Sequence, residues 1–490
     1  MLTDKLFADK ICPSHRKTST EAFTYRNLKT IFITGLLLCA LMVQSAWAQS
    51  FQGGLRGAIR DNAGSILPGV TLTLLNEATN VSRTTVTNEA GEYVFERVDP
   101  GKYKITATFS GFKKTDRTDV LIETQQQVAL DFTMMIGEVS ETVLITGDVP
   151  LMETSTASTG TVISKQILSD LPNSGRNPFA ISAITPTVIP VGNPTFNRQQ
   201  DQTGSSAISL GGGPVRGNNY IIDGVPITDL RNRAVIIPSI EAVQEVKVQV
   251  NTYDAEAGRT GGGFFNTTAK SGTNGYHGSA FGFIRPSALQ ANNFFNNRRG
   301  IAKPSAPYKL YGASFGGPVK LPWLYSGKDK TFFWGTFEGY RMQTFLSETF
   351  TLPTDRERAG DFSQTPGLTL IDPLTGKQFA GNIIPTNRFD PVGAKLVSYF
   401  PKPNGSGYLN NTSVTSTLSD RADQQTFKLD HALTESWKVS GFYAHYGSRE
   451  PEADYYGNIA NPNGYLLFRN VHALAVNSIQ TITPTTAGFS

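Results

Sequence analysis

TFFWGTFEGYRMQ, at Thr331–Gln343, sets aromatic residues in loose alternation with Gly and Thr, the period of a strand whose two faces differ. Segments of the same kind recur: YHGSAFGFIR from Tyr276, YKLYGASFGG from Tyr308, QTFKLDHAL from Gln425, WKVSGFYAHY from Trp437 and YLLFRNVHALAVNSIQTI from Tyr465. Most are near ten residues long, and a transmembrane barrel needs strands of roughly 9–11 residues with an apolar outer face. A soluble β-sandwich would contain similar strands. Two features favour the membrane. Small or polar residues take the alternate face, as suits a wet or plugged lumen, and the connections are of two kinds. The turn Leu433-Thr434-Glu435-Ser436 is short, whereas Pro353 to Leu418 reads as one long connection. Loops of that length are usually functional.

The composition agrees with turn-rich β structure. Of 490 residues, 47 are Gly and 27 Pro, with 39% hydrophobic, 17% charged and 10% aromatic. Few charges and ample aromatics exclude a charged disordered tail. The one long apolar stretch, Ile31 to Val43, has 13 residues, too few for a helical membrane protein. It follows Arg16, Lys17, Arg26 and Lys29 and precedes Ala46-Trp47-Ala48, so residues 1–48 read as a secretory signal peptide cleaved between Ala48 and Gln49. An N-terminal anchor would need about 20 apolar residues, and Cys39 follows Leu38 where a lipoprotein cysteine wants a small residue. Cleavage removes both cysteines, Cys12 and Cys39. It also removes six of the 44 Lys/Arg and three of the 40 Asp/Glu, so a net charge of +4 becomes +1. No basic patch then remains for nucleic acid, and an exported chain without disulfides must be held by its core, a barrel or an assembly.

Residues 49–136 read as a small β-sandwich. The strand candidates are LRGAIRD, NAGSILPG, VTLTLLNEAT, SRTTVTNEAGEYVFERV, DPGKYKITATFSGFKK and VALDFTMM. Val70, Leu72 and Leu74 alternate with Thr71 and Thr73, and Tyr103, Ile105 and Ala107 alternate with Lys102, Lys104 and Thr106. Gly91 and Pro100-Gly101 supply turns. TNEAGEYVFERVDPGKYKITATFSGF, at Thr87–Phe112, resembles the carboxypeptidase regulatory-like domain, a transthyretin-like module. That resemblance implies a docking or carbohydrate-binding role and no peptidase chemistry.

Residues 137–150 form a linker that contains Glu141-Thr142-Val143-Leu144-Ile145-Thr146-Gly147, a β-prone run between Gly137 and Asp148-Val149-Pro150. Such a run suits strand addition to a partner's sheet; from composition alone the last strand of the sandwich is the favoured reading. ETVLITG resembles the TonB box of TonB-dependent outer-membrane receptors. Residues 151–271 resemble the α+β plug domain of the same receptors, carried by Arg216-Gly217, then IIDGVP from Ile221, and IEAVQEVKV from Ile240. From the residues themselves, Ser164 to Leu171 predicts a short helix capped by Ser164 and stopped at Pro172, and Val243 to Val250 predicts a strand. Asp223-Gly224 and Gly261-Gly262-Gly263 predict tight turns, as does GGGPVRG from Gly211 to Gly217, which lacks the G-K-[ST] ending of a phosphate loop.

The sequence carries no signal for catalysis. The mature histidines are His277, His431, His445 and His472, with no H-E-x-x-H, and there is no G-x-S-x-G elbow. No catalytic, metal or cofactor-binding residue is expected, and no cofactor. FFWGTFEGYR, AGDFS, NIIPTNRFDPVGAKLVSYFPKPN and FKLDHALTESWKVSGFYAHY resemble the Oar-like branch of TonB-dependent receptors. That resemblance implies a plugged barrel in the outer membrane of a Gram-negative bacterium, with the N-terminal domain in the periplasm. It also implies a ligand on the outer loops, carbohydrate and peptide both being open. TonB, driven by ExbB and ExbD, would engage the box at Glu141 to Gly147, and outer-membrane lipid would surround the strands. An exported carbohydrate-binding or adhesion protein without transport is the alternative. A transporter barrel of 22 strands at about 10 residues each needs roughly 220 residues in strands alone. Residues 272–490 number 219 before any loop. The fold expected is therefore mainly β, with a sandwich, a plug and the first strands of a barrel.

Overall fold

The computed structural model describes residues 51–138, 142–145, 160–172, 176–191, 207–250, 258, 260–292, 294–298, 300, 302–303, 305–463, 466–483 and 486–489. The signal peptide with its Ala48–Gln49 junction, and Glu141, Thr146 and Gly147, lie outside them. Among the described residues no helix is long and apolar enough to cross a membrane.

The N-terminal module has two sheets on one core. Its strands are β1 (Gly53–Asp61), β2 (Thr71–Asn76), β3 (Ser82–Val86), β4 (Glu92–Val98), β5 (Gly101–Thr108), β6 (Lys114–Ile122), β7 (Gln127–Ala129), β8 (Phe132–Met134) and β9 (Thr142–Ile145). One sheet runs β4-β1-β7 with β8 also on β1, and the other runs β3-β2-β5-β6-β9. The alternation read from the sequence is what buries Val70, Leu72, Leu74, Tyr103, Ile105 and Ala107 against Leu55, Ile59, Phe95 and Phe132. The Tyr93 hydroxyl donates to Leu130 O at 2.6 Å, which satisfies a polar group inside that core.

Three strand expectations need correction. NAGSILPG is a turn with one isolated bridge, Arg60 to Ile66, because Asp61 accepts from the amides of Ala63 and Ser65 and curls the chain. The single segment from Ser82 to Val98 is two strands split at Asn88–Gly91, where the Asn88 side chain accepts from Ala90 and Glu92. β6 was not expected at all. Lys114, Asp116, Arg117 and Asp119 hide its alternation, and Asp119 sits at φ 59 where the pairing with β5 shifts register.

The central domain contains β10 (Gly160–Ser164), a helix at Lys165–Asp170, β11 (Val188–Pro190), β12 (Ile208–Leu210), β13 (Asn219–Ile222), β14 (Val225–Pro226), β15 (Val243–Val250) and β16 (Gly263–Ala269). The helix has the expected cap: Ser164 accepts from the Ile167 amide. Five strands form a mixed sheet in the order β10-β15-β16-β13-β14, while β11 pairs with β12 apart from it. The β13–β14 turn holds Asp223 at φ 45 and Gly224 at φ 83, left-handed values that Asp and Gly tolerate best. Of the Gly261–Gly263 turn, Gly263 is already the first residue of β16.

The C-terminal part is an antiparallel wall. It comprises β17 (His277–Arg285), β18 (Tyr308–Pro318), the small hairpin β19 (Lys320–Leu321) and β20 (Tyr325–Ser326), then β21 (Thr331–Phe350), β22 (Thr412–Thr434), β23 (Trp437–Pro451), β24 (Leu466–Thr483) and β25 (Thr486–Phe489). Seven of these pair in the order β17-β18-β21-β22-β23-β24-β25, so β17 and β25 are its two edges. β21 and β22 are far longer than the near-ten residues expected, at 20 and 23. Residues 412–418, read as loop, are strand: their Ser and Thr side chains bond across to β21, Ser347 to Thr415 at 2.8 Å and Thr349 to Ser413 at 3.2 Å. The long connection therefore runs 351–411. It is ordered by caps: Thr354 and Glu357 form a capping box, and Asp390 caps a helix at Pro391–Val397. Within it the Arg388 guanidinium bonds Asp372 at 2.8 Å and holds that carboxyl down to about 2.

Candidate functional site

β18, β21, β22, β23 and β24 alternate over much of their length so that one face is buried and the other exposed, and the buried face meets the central domain. Leu310, Tyr340, Phe442 and Tyr446 of the wall share one apolar cluster with Tyr220, Val246, Val248 and Phe265 of the central sheet. Through that cluster run charged contacts. Lys428 of β22 bonds Asp223 at 2.6 Å and donates to Ala269 O at 3.0 Å, with both charged side chains almost wholly buried. Asp223 Oδ1 also accepts from the Ala269 amide at 2.8 Å, and Asn477 of β24 donates to Asp223 O at 3.2 Å. Farther from the short turns, the Ser239 hydroxyl donates to Glu338 at 2.7 Å, and level with Lys428 the Trp334 Nε1 donates to Glu241 O at 2.9 Å. The Lys270 ammonium lies 3.7 Å from the Trp334 ring centroid.

The ionic chain continues toward the end with the short turns. Asp430, on the same face of β22 as Lys428, is 3.5 Å from Lys438 of β23, and Lys438 in turn pairs with Asp99 of the sandwich. The sandwich is fixed there by further bonds. Asn274 donates to Thr79 O at 2.7 Å, and Arg83 donates to Thr481 at 3.1 Å. Thus the central domain is gripped from the wall on one side and meets the sandwich at this end.

The seam between sandwich and central sheet is polar and buried. Glu245 of β15 accepts from the Thr124 amide and hydroxyl, and Lys247 donates to Gln125 O at 3.0 Å. Burial raises the Glu245 carboxyl to about 7 from an ordinary 4.5, outweighing the Thr124 bonds that favour the charged form. A raised carboxyl pKa means that the docked state binds the extra proton, so docking is fully stabilised below about 4.5 and weakens as pH rises through about 7. We expect the hydrogen-exchange protection of the Thr124 amide to fall over that interval, and Glu245→Gln to flatten the dependence. Protection that is level with pH in the unmodified chain would refute this seam.

The predicted box residues Thr142, Val143, Leu144 and Ile145 form β9, the outermost strand of the second sandwich sheet, parallel to β6 with Val143 opposite Thr115. Leu144 is 60% exposed. The segment is thus an edge strand of its own sandwich, with its other edge unpaired among the described residues. The glycine-rich turn at Gly211–Gly217 and the one at Gly261–Gly263 lie against each other. A Cβ on Gly213 would sit 2.5 Å from Gly262 Cα, and one on Gly262 would sit 2.5 Å from Asn218 Oδ1. The sequence reading did not single out Lys428, Asp430, Glu338 or Glu245. A signal was present: Lys428 and Asp430 share parity within QTFKLDHAL, which puts two opposite charges on one strand face. Among the described residues no group of three or more His, Cys, Asp or Glu could hold a metal ion.

Comparison with known proteins bears on this arrangement. Residues 268–488 match the family of outer membrane beta barrel domains, and residues 54–135 match the carboxypeptidase regulatory-like domain. The C-terminal part of the chain is thus matched to outer membrane beta barrel domains. It is a homologue of the TonB-dependent transporter Oar of Myxococcus xanthus, 24% identical over 304 residues, which are 60% of this chain and 28% of that protein. The chain therefore spans under a third of that relative's length. Colossin-A of Dictyostelium discoideum is 29% identical over 106 residues, 19% of this chain and 1% of that protein. Among solved structures, the outer membrane transporter YddB of Escherichia coli aligns with a TM-score of 0.41 at 12% identity, over 66% of this chain and 37% of that one. The matched family and the Oar relative place the chain in the outer membrane of a Gram-negative bacterium.

Proposed function

We propose that the protein is a TonB-dependent receptor or transporter in which the central domain plugs the barrel. The observation that carries this reading is the interface itself. The central sheet is held to the wall by the Asp223–Lys428 pair and by the Ser239–Glu338 and Trp334–Glu241 hydrogen bonds, embedded in a shared apolar cluster. Bonds of that kind hold a domain in place at rest, yet they break one at a time when the domain is pulled from the end with the short turns. The sandwich and β9 lie at that end, in the periplasm in this reading, and the connection at 351–411 lies outside, where ligand would dock. Glu141 to Gly147 would act as the TonB box. β9 presents an unpaired edge to which a strand of TonB can add, and main-chain hydrogen bonds would transmit the force supplied by ExbB and ExbD.

The test uses the full chain in cells that contain TonB. Single cysteines are placed at Thr142, Val143, Leu144 and Ile145, and matching cysteines in the periplasmic domain of TonB. Disulfide-linked adducts at alternate positions are the expected result, since successive side chains of an added strand face opposite ways. No adduct at any position would reject the box. A protein that also lacks a heat-modifiable gel shift would favour the exported adhesion reading.

A further inference from the structure

We propose that the lipid-facing side of the wall carries a binding site for the phosphates of a lipopolysaccharide headgroup, formed by Lys309, Arg341, Arg421 and Arg449. The register creates this site. Lys309 of β18 lies directly opposite Arg341 of β21, Arg341 opposite Arg421 of β22, and Arg421 opposite Arg449 of β23. Directly opposed residues point to the same face, so four cations stand side by side across four neighbouring strands. With strands about 4.8 Å apart, the row is about 15 Å long. Their sequence neighbours Leu310, Met342, Ala422 and Glu450 are buried on the inner side, which puts the cations on the outer one.

Like charges directly opposite each other destabilise a sheet. One carboxylate offsets the row: Asp423 bonds Arg341 at 2.8 Å. That leaves an excess of three positive charges for a ligand. The guanidinium of Arg449 lies 5.8 Å from the Phe468 ring centroid and that of Arg341 5.9 Å from Tyr311, contacts that steady both on the sheet surface.

Position selects the partner. Toward the short turns, the same face carries Phe315, Phe427, Leu474 and Val476, all well exposed. Away from them, it carries Ser419, Thr417 and Thr415 of β22. Between those apolar residues and the row lie Asp423, Gln425, His445, Asn470 and His472, with His445 bonded to Gln425 and Asn470 at 2.8 Å, so the row stands beyond the apolar band on its polar side. Arg449 is twelve residues beyond Trp437 on β23, which at about 3.3 Å per residue and a tilt near 40° is about 30 Å, close to the thickness of the hydrocarbon layer. Trp437 would mark one interface and the cation row the other. Which leaflet this is rests on the orientation given under Proposed function, with the short turns in the periplasm. The row then meets the outer leaflet, whose phosphorylated glycolipid offers the tetrahedral oxyanions that arginine recognises in bidentate fashion.

The experiment uses the full chain purified in detergent and three probes: lipopolysaccharide, the same lipopolysaccharide after enzymatic dephosphorylation, and phosphatidylglycerol. The variant Lys309→Gln/Arg421→Gln/Arg449→Gln leaves the Arg341–Asp423 pair in place. We expect it to bind lipopolysaccharide at least ten-fold more weakly than the unmodified chain while keeping the same heat-modifiable gel shift. Lys309→Arg/Arg421→Lys/Arg449→Lys keeps the charge but loses the bidentate fork at two positions, so it should bind more weakly than the unmodified chain and more tightly than the Gln variant. Dephosphorylation should weaken binding to the unmodified chain by a similar factor, a result that needs no variant to fold. Equal binding of intact and dephosphorylated lipid would overturn the site, and so would phosphatidylglycerol binding as tightly as lipopolysaccharide. Lipopolysaccharide binding by a protein that forms no TonB adduct would leave this site standing and reject the energised receptor alone.

Discussion

Asp223→Asn is expected to lower the stability of the folded chain by about 3–5 kcal/mol, the usual cost of leaving one member of a buried ion pair without its partner. Asp223 and Lys428 expose 1% and 3% of their side chains. Asn tolerates the left-handed backbone at φ 45, so the β13–β14 turn survives and the loss is electrostatic. Asp430 offers little compensation, because it already faces Lys438 at 3.5 Å. Denaturant titration of the full chain in micelles measures the effect. The double variant Asp223→Asn/Lys428→Met should recover most of it, since removing both charges removes the desolvation cost as well as the attraction. A loss below about 1 kcal/mol would place the pair in the range of exposed ion pairs and would show that water reaches it.

Val143→Pro should abolish the TonB adduct. Proline has no N–H, fixes φ near −65° and is excluded from strand interiors. Val143 sits second of four in β9, where the ring removes the one N–H of that residue and its fixed φ disturbs the extended backbone that strand addition requires. Pairing with Thr115 of β6 would be lost together with pairing to TonB. The two losses are separable: hydrogen exchange along β6 reads the first and cross-linking from Leu144→Cys reads the second. Val143→Ile should retain both. A proline variant that still forms the adduct would show that TonB is not engaged by strand addition at this segment.

Much of this architecture was legible from residue order. Alternation at Leu72, Leu74, Ile105 and Ala107 announced half-buried strands, and the Ser164 cap with Pro172 bounded a helix of one and a half turns. Asp223-Gly224 announced its turn because few residues accept a positive φ. These features are local, and each is set by the sterics of two to six neighbouring residues. Three things were not legible. β6 was hidden because a bulge at Asp119 interrupts its period. The outer halves of β21 and β22 were hidden because Ser and Thr pair across strands as readily as they fill loops. The box segment reads from composition as a sandwich strand and from resemblance as a partner-binding strand, and the fold places its described residues at the edge of a sandwich sheet.

The sequence by itself determined that the chain is mainly β, where most of its strands lie, and which side chains share a face, because these follow from the alternating geometry of an extended chain. Tertiary structure alone decided which distant faces meet. Lys428 finds Asp223 across 205 positions, Glu245 finds Thr124 across 121, and Lys309, Arg341, Arg421 and Arg449 come into one row through the register of four strands. Register is a relation between strands, and a shift by one residue would turn every one of those side chains to the opposite face.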